Sequence, residues 1–275
     1  MAEMRVLGSS RLMKLALRAL ILVVLLALII FGLYYLLSQS YPFRWNLAFN
    51  PKNLDAFNEG LLVTLQVSGL AMIGGALLGL LVALARLSPF AILRDMGMLY
   101  VQMLRNIPFL VFILFMYFGV SKVFSAGPTV PVPLLDIEID SRIFWGVIAL
   151  SLFEASFISE IFRAGIQAVH KTQIEAARSL GMSYVQSMQH VVLPQAFRMI
   201  IPPLTGELIA LVKESALLMV ISLEELTLTA RQLVQQTPLN FEFYAILAAY
   251  YLAITLPLSF VSHLLERKLA IGKAR

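Results

Sequence analysis

Six apolar runs, separated by polar turns, constrain this chain more than any other feature. They cover roughly residues 19–37, 60–85, 97–120, 143–165, 194–221 and 243–265. A helix needs about 20 apolar residues to cross the hydrocarbon core of a bilayer. Inside lipid the backbone must satisfy its own hydrogen bonds, so such runs fold as helices. The predicted fold class is all-α: a polytopic membrane helical bundle of about six transmembrane helices. Composition agrees, with 60% hydrophobic and 13% charged residues, a balance foreign to soluble domains.

The first run follows a basic start (Arg5, Arg11, Lys14, Arg18). That pattern resembles a signal peptide, but residues 19–37 are long enough to span and no small-x-small cleavage site follows closely. The expectation is an uncleaved first helix. Lys and Arg set the orientation. Fifteen of them, from Arg5 to Arg18, then Arg86, Arg94, Arg105, Arg163, Lys171, Arg178, Arg198 and Arg267 to Arg275, fall on one side. Five fall on the other: Arg44, Lys52, Lys122, Arg142 and Arg231. This asymmetry puts both termini and the 166–193 loop in the cytoplasm. The outer 121–142 loop is Pro-rich and acidic and has room for a short extended segment. Residues 38–59 are aromatic and polar, suiting an interface. The expected layout is 1–58 as an extra helix with its outer segment, 59–265 as the main domain, and 266–275 as a basic tail.

The stretch TQIEAARSLGMSYVQSMQHVVLP (172–194) is hydrophilic and helix-prone, yet lies between apolar runs. Thr172 with Glu175, and Ser183 with Gln186, read as capping boxes. Gly181 is placed to end the first helix in a left-handed turn. Ala176 and Ala177 keep that helix thin. The predicted unit is a short helix, a Gly turn and a longer helix entering the membrane.

Other polar residues lie within the runs. Glu154 is mid-span, where an ionised carboxylate facing lipid costs roughly 3 kcal/mol or more. It is either a pathway residue that meets a cationic group or a protonated acid bonded to a neighbouring helix. The fifth run is too long for a simple span and holds Pro202, Pro203, Glu207, Lys213, Glu214 and Ser215. It is expected to bend or break, its last part lining a cavity. Glu207 and Glu214 share a helical face, which lines either that cavity or a set of buried pairs. Glu160 and Arg163 suit a structural pair one turn apart. Arg105 suits a snorkelling anchor where Pro108 opens the third span. Ala71, Gly75, Gly79 and Ala83 form a smooth stripe for helix packing, within the subunit or between subunits.

Catalytic signatures are absent. There is no G-x-x-x-x-G-K-[ST] phosphate loop, no H-E-x-x-H, no G-x-S-x-G and no cysteine. His170, His190 and His263 lack metal-ligand spacing. No cofactor in this chain, no enzyme activity and no nucleic-acid partner is expected.

The 172–194 stretch also fits a wider pattern: Glu175-Ala176-Ala177, three residues, Gly181, nine residues, then Val191-Val192-Leu193-Pro194. It resembles the signature loop of ABC importer permeases, with Val in place of Ile. The segments 158–169, 173–183, 193–204 and 211–217 resemble the polar-amino-acid group (histidine, glutamate, glutamine, arginine), and 105–111 resembles that group's R-G-T-P-L motif. Lys213-Glu214-Ser215-Ala216-Leu217 departs from the commoner K-D-T-S-L. The resemblance covers about residues 60–265. It implies a type I importer permease in the bacterial inner membrane. It implies an ATPase dimer holding ATP and Mg, docked on Glu175, Ala176, Ala177, Arg178 and Gly181. It also implies a second permease subunit, the same chain or a paralogue, and a periplasmic or lipid-anchored binding protein. The pathway would involve Glu154, Glu207, Lys213, Glu214 and Ser215. The rival reading is an ion-gradient-driven secondary transporter, which also uses broken spans and buried acids; no inverted repeat supports it.

Overall fold

A computed structural model describes residues 17, 20–21, 23–25, 27–32, 34–36, 38–124, 127–132 and 137–269. Those described between 17 and 38 are helical. The ends of the expected first span, the basic start and residues 270–275 lie outside the described residues. Two compact units divide at 48–49. The sequence boundary at 58–59 instead falls inside a continuous helix.

In the first unit, Phe43 stacks on Tyr34 and on Trp45, the first residue of a short helix α1 (Trp45–Ala48), and meets the Tyr41 ring edge-on. The second unit opens with α2 (Pro51–Leu87), 37 residues long. Asn50 caps it by accepting from the Lys52 amide, and Pro51 occupies a first-turn position that needs no donor. At about 1.5 Å per residue α2 is roughly 55 Å long, well beyond a hydrocarbon core of about 30 Å. Its small-residue stripe packs on α6 (Ser141–Gln167). A Cβ on Gly79 would stand 2.9 Å from Ile158, and one on Gly75 3.3 Å from Glu154. The stripe therefore serves contact within the subunit.

The third span is not one helix. It consists of α3 (Ala91–Arg105) and α4 (Phe109–Leu114), the latter continuing through a π-helical stretch, Phe115–Val120, into α5 (Ser121–Phe124). The two parts are bent by 101° at the break. Pro108 drives the residue before it out of the helical region and supplies no N–H. Asn106 closes α3 by donating to the Gln102 carbonyl at 2.7 Å. Arg105 thus ends a helix rather than opening a span.

The 121–142 loop carries the expected extended segment, a hairpin of β1 (Thr129–Val132) and β2 (Ile137–Asp140). The cytoplasmic-loop candidate forms α7 (Lys171–Ser179) and α8 (Tyr184–Ser187). A π turn, Met188–Val192, leads from α8 into α9 (Leu193–Glu214). Pro202 and Pro203 do not break α9; the helix changes at Ser215–Ile221, a 3₁₀ segment that ends at Ser222 with φ 61°. The segment after it holds an unanticipated helix, α10 (Leu226–Gln236), capped by Glu225. The chain closes with α11 (Asn240–Leu269), which carries the helix past the boundary expected at 266. Among the described residues, α2, α6 and α11 are long and apolar enough to cross a membrane, and the bent third span makes a fourth. The charged α9 is not among them. Val67, Ile113, Trp145, Leu150, Leu211 and Leu218 anchor the core shared by α2, α4, α6 and α9.

Candidate functional site

The α7–α8 hairpin is fixed by local bonds. α7 begins two residues earlier than the sequence suggested. Its N-cap is His170 and makes no side-chain cap bond, so the Thr172–Glu175 capping box is not formed. Thr172 lies within the first turn and not at the cap position that the box requires. Gly181 adopts φ 83°. Its amide donates to Arg178 O at 2.9 Å, and the Met182 amide to Ala177 O at 3.2 Å, a Schellman closure. The Ser183–Gln186 capping box is present in both directions.

The two alanines separate. Ala176 is exposed, whereas Ala177 is 5% exposed and packs inward. Only Ala176 can lie against an outside surface. Around it, Glu175 and Arg178 are exposed, and Arg178 lies over the Tyr184 ring at 5.9 Å. Leu180, Tyr184 and Val185 present 83%, 61% and 60% of their surface. An apolar cluster of this exposure on an otherwise hydrophilic hairpin marks a contact surface.

A second constellation forms where α6 meets α9. Glu154 is 1% exposed, and its carboxyl meets those of Glu207 and Glu214. Glu154 Oε2 and Glu214 Oε2 are buried and find no donor among the described residues. The break in the third span delivers Arg105 to this region. Its guanidinium lies 5.1 Å from the Phe157 ring, one turn along α6 from Glu154, and its charge reaches Glu207. Lys213 is exposed, with its charge felt at Glu214. Ser215 is fully buried and donates to Val212 O at 2.8 Å, with Tyr251 of α11 also in reach. It stands apart from the acids. Three carboxyls thus face two cations, and two acceptor oxygens are left over.

Residues 75–271 match the family described as binding-protein-dependent transport system inner membrane component. The chain belongs to this family.

Relatives of this permease agree. It is 37% identical over 217 residues to the probable glutamine ABC transporter permease protein GlnM of Bacillus subtilis, covering 79% of this chain and 94% of the relative. It is 37% identical to the arginine transport system permease protein ArtQ of the same organism, covering 77% and 91%. It is 34% identical to the glutamate/aspartate import permease protein GltK of Escherichia coli, covering 84% and 100%. Among solved structures, an amino acid ABC transporter crystallised with histidines superimposes with TM-score 0.69 at 36% identity, covering 79% of this chain and 95% of that one. The MetNI methionine ABC transporter superimposes with TM-score 0.65 at 19% identity, which speaks to the type I fold alone. This protein is a membrane-embedded permease subunit of an ABC importer, and nothing among its relatives favours a secondary transporter.

Two of the permease's notable residues escaped sequence reasoning. Arg105 needed the break to be recognised, and Pro108 was the available signal. Arg86, at the end of α2, reaches Glu160 of α6 at 2.7 Å, so the expected Glu160–Arg163 pair is a three-residue bridge. Nothing in the sequence pairs positions 86 and 160. His170, His190 and His263 are all exposed.

Proposed function

We propose that this subunit carries polar amino acids, basic ones above all, across the bacterial inner membrane, with both termini and the α7–α8 hairpin in the cytoplasm. An ATPase subunit grips the hairpin. Its dimer binds and hydrolyses ATP with Mg, so this chain performs no chemistry itself. Two permease subunits, copies or paralogues, enclose the pathway, and a periplasmic or lipid-anchored protein delivers the cargo.

The observation that carries the reading is the outward face of the hairpin: Ala176 without bulk, with Leu180, Tyr184 and Val185 exposed around the rigid Gly181 turn. A rigid element held from outside transmits movement, because packed helices switch between discrete arrangements. For cargo, the support is the excess of carboxyls. Glu154, Glu207 and Glu214 outnumber Arg105 and Lys213, so the cluster offers acceptors to an ammonium or guanidinium group. A cationic side chain recovers there part of its desolvation cost. The named relatives handle glutamine, arginine and glutamate/aspartate, so their names support the amino-acid class and leave side-chain charge to the site.

The test is reconstitution of this subunit with its ATPase and binding protein in proteoliposomes. ATP-driven arginine uptake that lysine competes away, and glutamate does not, is the expected result. A permease that purifies alone and transports on an ion gradient would overturn the ABC reading, while ATP-driven uptake with glutamate as the better competitor would overturn only the basic preference.

A further inference from the structure

A cavity of about 850 Å³ lies between the end of α6, the starts of α7 and α9, and the end of α11. It shares no residue with the acid cluster or with the exposed face of the hairpin. Its lining is mixed: His170 and Gln195 lie toward the hairpin and Arg198 midway along the α9 wall, among Ile161, Met199 and Pro203. Along α9, from Gln195 to Pro203, the wall descends about 12 Å at the helical rise. A site with polar and apolar groups over that depth fits an amphiphile. Its volume falls within the range of about 300–1,000 Å³ that encloses a sizeable organic ligand. A free phosphate ion would leave the apolar floor uncovered.

Charge selects the kind of amphiphile. Glu160, at the deep edge, is already held by Arg86 and Arg163, each at 2.7 Å. Glu266 faces His263 at 3.8 Å. Arg198 has no hydrogen bond or ion pair among the described residues. Lys171, Arg267 and Lys268 are exposed beside the rim. The charge left to a ligand is positive. Gln195 donates its Nε2 to Val191 O at 2.9 Å, so its carbonyl oxygen remains to accept from a hydroxyl.

Resting on the proposed orientation, which sets this rim at the cytoplasmic headgroup level, we infer that the cavity binds one anionic glycerophospholipid of the inner leaflet, of the phosphatidylglycerol type. The phosphate meets Arg198 and His170, and the glycerol hydroxyls meet Gln195. An acyl chain lies along Ile161, Met199 and Pro203. Basic pockets between spans on the cytoplasmic side suit such headgroups. The lipid touches α6, α9, α11 and the cap of α7 together, and so braces the docking hairpin against the spans.

The test uses the whole transporter, permease with ATPase, in phosphatidylcholine nanodiscs containing a minor fraction of phosphatidylglycerol with a photoactivatable acyl chain. Adducts are mapped by mass spectrometry. The expected result is labelling of the 161–168 and 195–203 peptides. Arg198→Gln should lower it about tenfold, the scale of one lost charge-assisted hydrogen bond, and Arg198→Lys should restore much of it. Ala164→Trp, which fills the cavity from α6, should also lower it with the rim charge intact. Labelling that ignores both Arg198→Gln and Ala164→Trp, or that misses these peptides, overturns the proposal. Protection by water-soluble glycerol 3-phosphate as strong as that by unlabelled lipid would assign the site to a free phosphate ester and likewise overturn it. Nanodiscs expose both leaflets, so the adducts do not depend on orientation. Orientation is read separately by an impermeant thiol reagent on Lys171→Cys, since the chain has no native cysteine.

Discussion

The α7–α8 hairpin and the α6–α9 acid cluster are built on opposite plans. The hairpin is largely exposed, and its turn is held by hydrogen bonds between residues at most five apart: the Gly181 and Met182 amides on Arg178 and Ala177, and Ser183 with Gln186. The cluster is buried and joins positions far apart in the chain: Glu154 with Glu207 and Glu214, and Arg105 beside Phe157. On the proposed function, the part to be gripped from outside keeps its shape by itself, and the part to meet the cargo is left with carboxyl oxygens that have no donor among the described residues. Mutations should therefore separate the two, hairpin changes acting on coupling and cluster changes acting on cargo.

The largest effect is expected at the hairpin. Gly181→Asp adds a side chain where nothing of this chain lies within 4 Å, at φ 83°. The backbone cost of a non-glycine residue there is roughly 1–2 kcal/mol, so the protein should still insert. Coupled uptake should fall about 100-fold, the upper range for coupling between sites, with ATPase activity no longer tied to transport. Proteoliposome uptake set against hydrolysis decides it, and normal coupled uptake would mean that the turn is not gripped.

Next comes the wall behind the cluster. Gly79→Val drives carbon into Ile158 Cγ2, already 2.9 Å from an ideal Cβ, and toward the Ala155 carbonyl at 3.2 Å. Overpacking of this kind costs about 1–3 kcal/mol. Thermal unfolding in detergent should show the loss, whereas Ala substituted at the solvent-open Gly206 should not. An unchanged melting temperature for Gly79→Val would mean that α2 and α6 are less tightly joined than their geometry indicates.

Glu154→Gln tests the cluster. It keeps size and hydrogen bonding but removes one carboxylate. Arginine uptake relative to glutamine should fall about tenfold, or 1.4 kcal/mol, with coupling intact. An unchanged preference for basic over acidic amino acids would move selectivity out of this site.

The same contrast explains what the sequence made legible. The Schellman turn at Gly181 and the Ser183–Gln186 box were readable because glycine at a helix end and Ser-x-x-Gln act over one turn. The Thr172–Glu175 box fits the same pattern and does not form, because the helix is capped at His170 and Thr172 falls inside its first turn. The small stripe on α2 was legible as a contact, but its partner α6 was not. The break at Pro108 lay in plain view as a proline, yet the apolar run on either side read as one span. The Arg86–Glu160 bridge had no sequence signal, since it depends on how two parallel helices slide against each other. In the fifth run the prolines drew attention to the wrong place: α9 passes through them, and its geometry changes thirteen residues after Pro202, at Ser215.

The smallest effect tests whether short-range contacts at the far end of the bundle matter as those of the hairpin do. Asp140 caps α6, accepting from the Arg142 amide at 2.7 Å, and pairs with the Arg142 guanidinium at 2.6 Å. Arg142 in turn donates to Ser222 O at 2.9 Å, fastening the end of the 3₁₀ segment to the start of α6. Arg142 holds the Asp140 carboxyl below its usual range. A carboxyl with a lowered folded value stabilises the fold above its ordinary value of about 3.9 and loses that contribution as pH falls through the lower folded value. The pair is about one-third exposed, so solvent screening limits it to about 0.5 kcal/mol. Asn retains a cap acceptor, so Asp140→Asn isolates the charge. Its melting temperature should lie about 1–2 °C below the parent at neutral pH, and the gap should close only below about pH 4. A gap that persisted unchanged into strong acid would show that the cap, and not the ion pair, holds this end together.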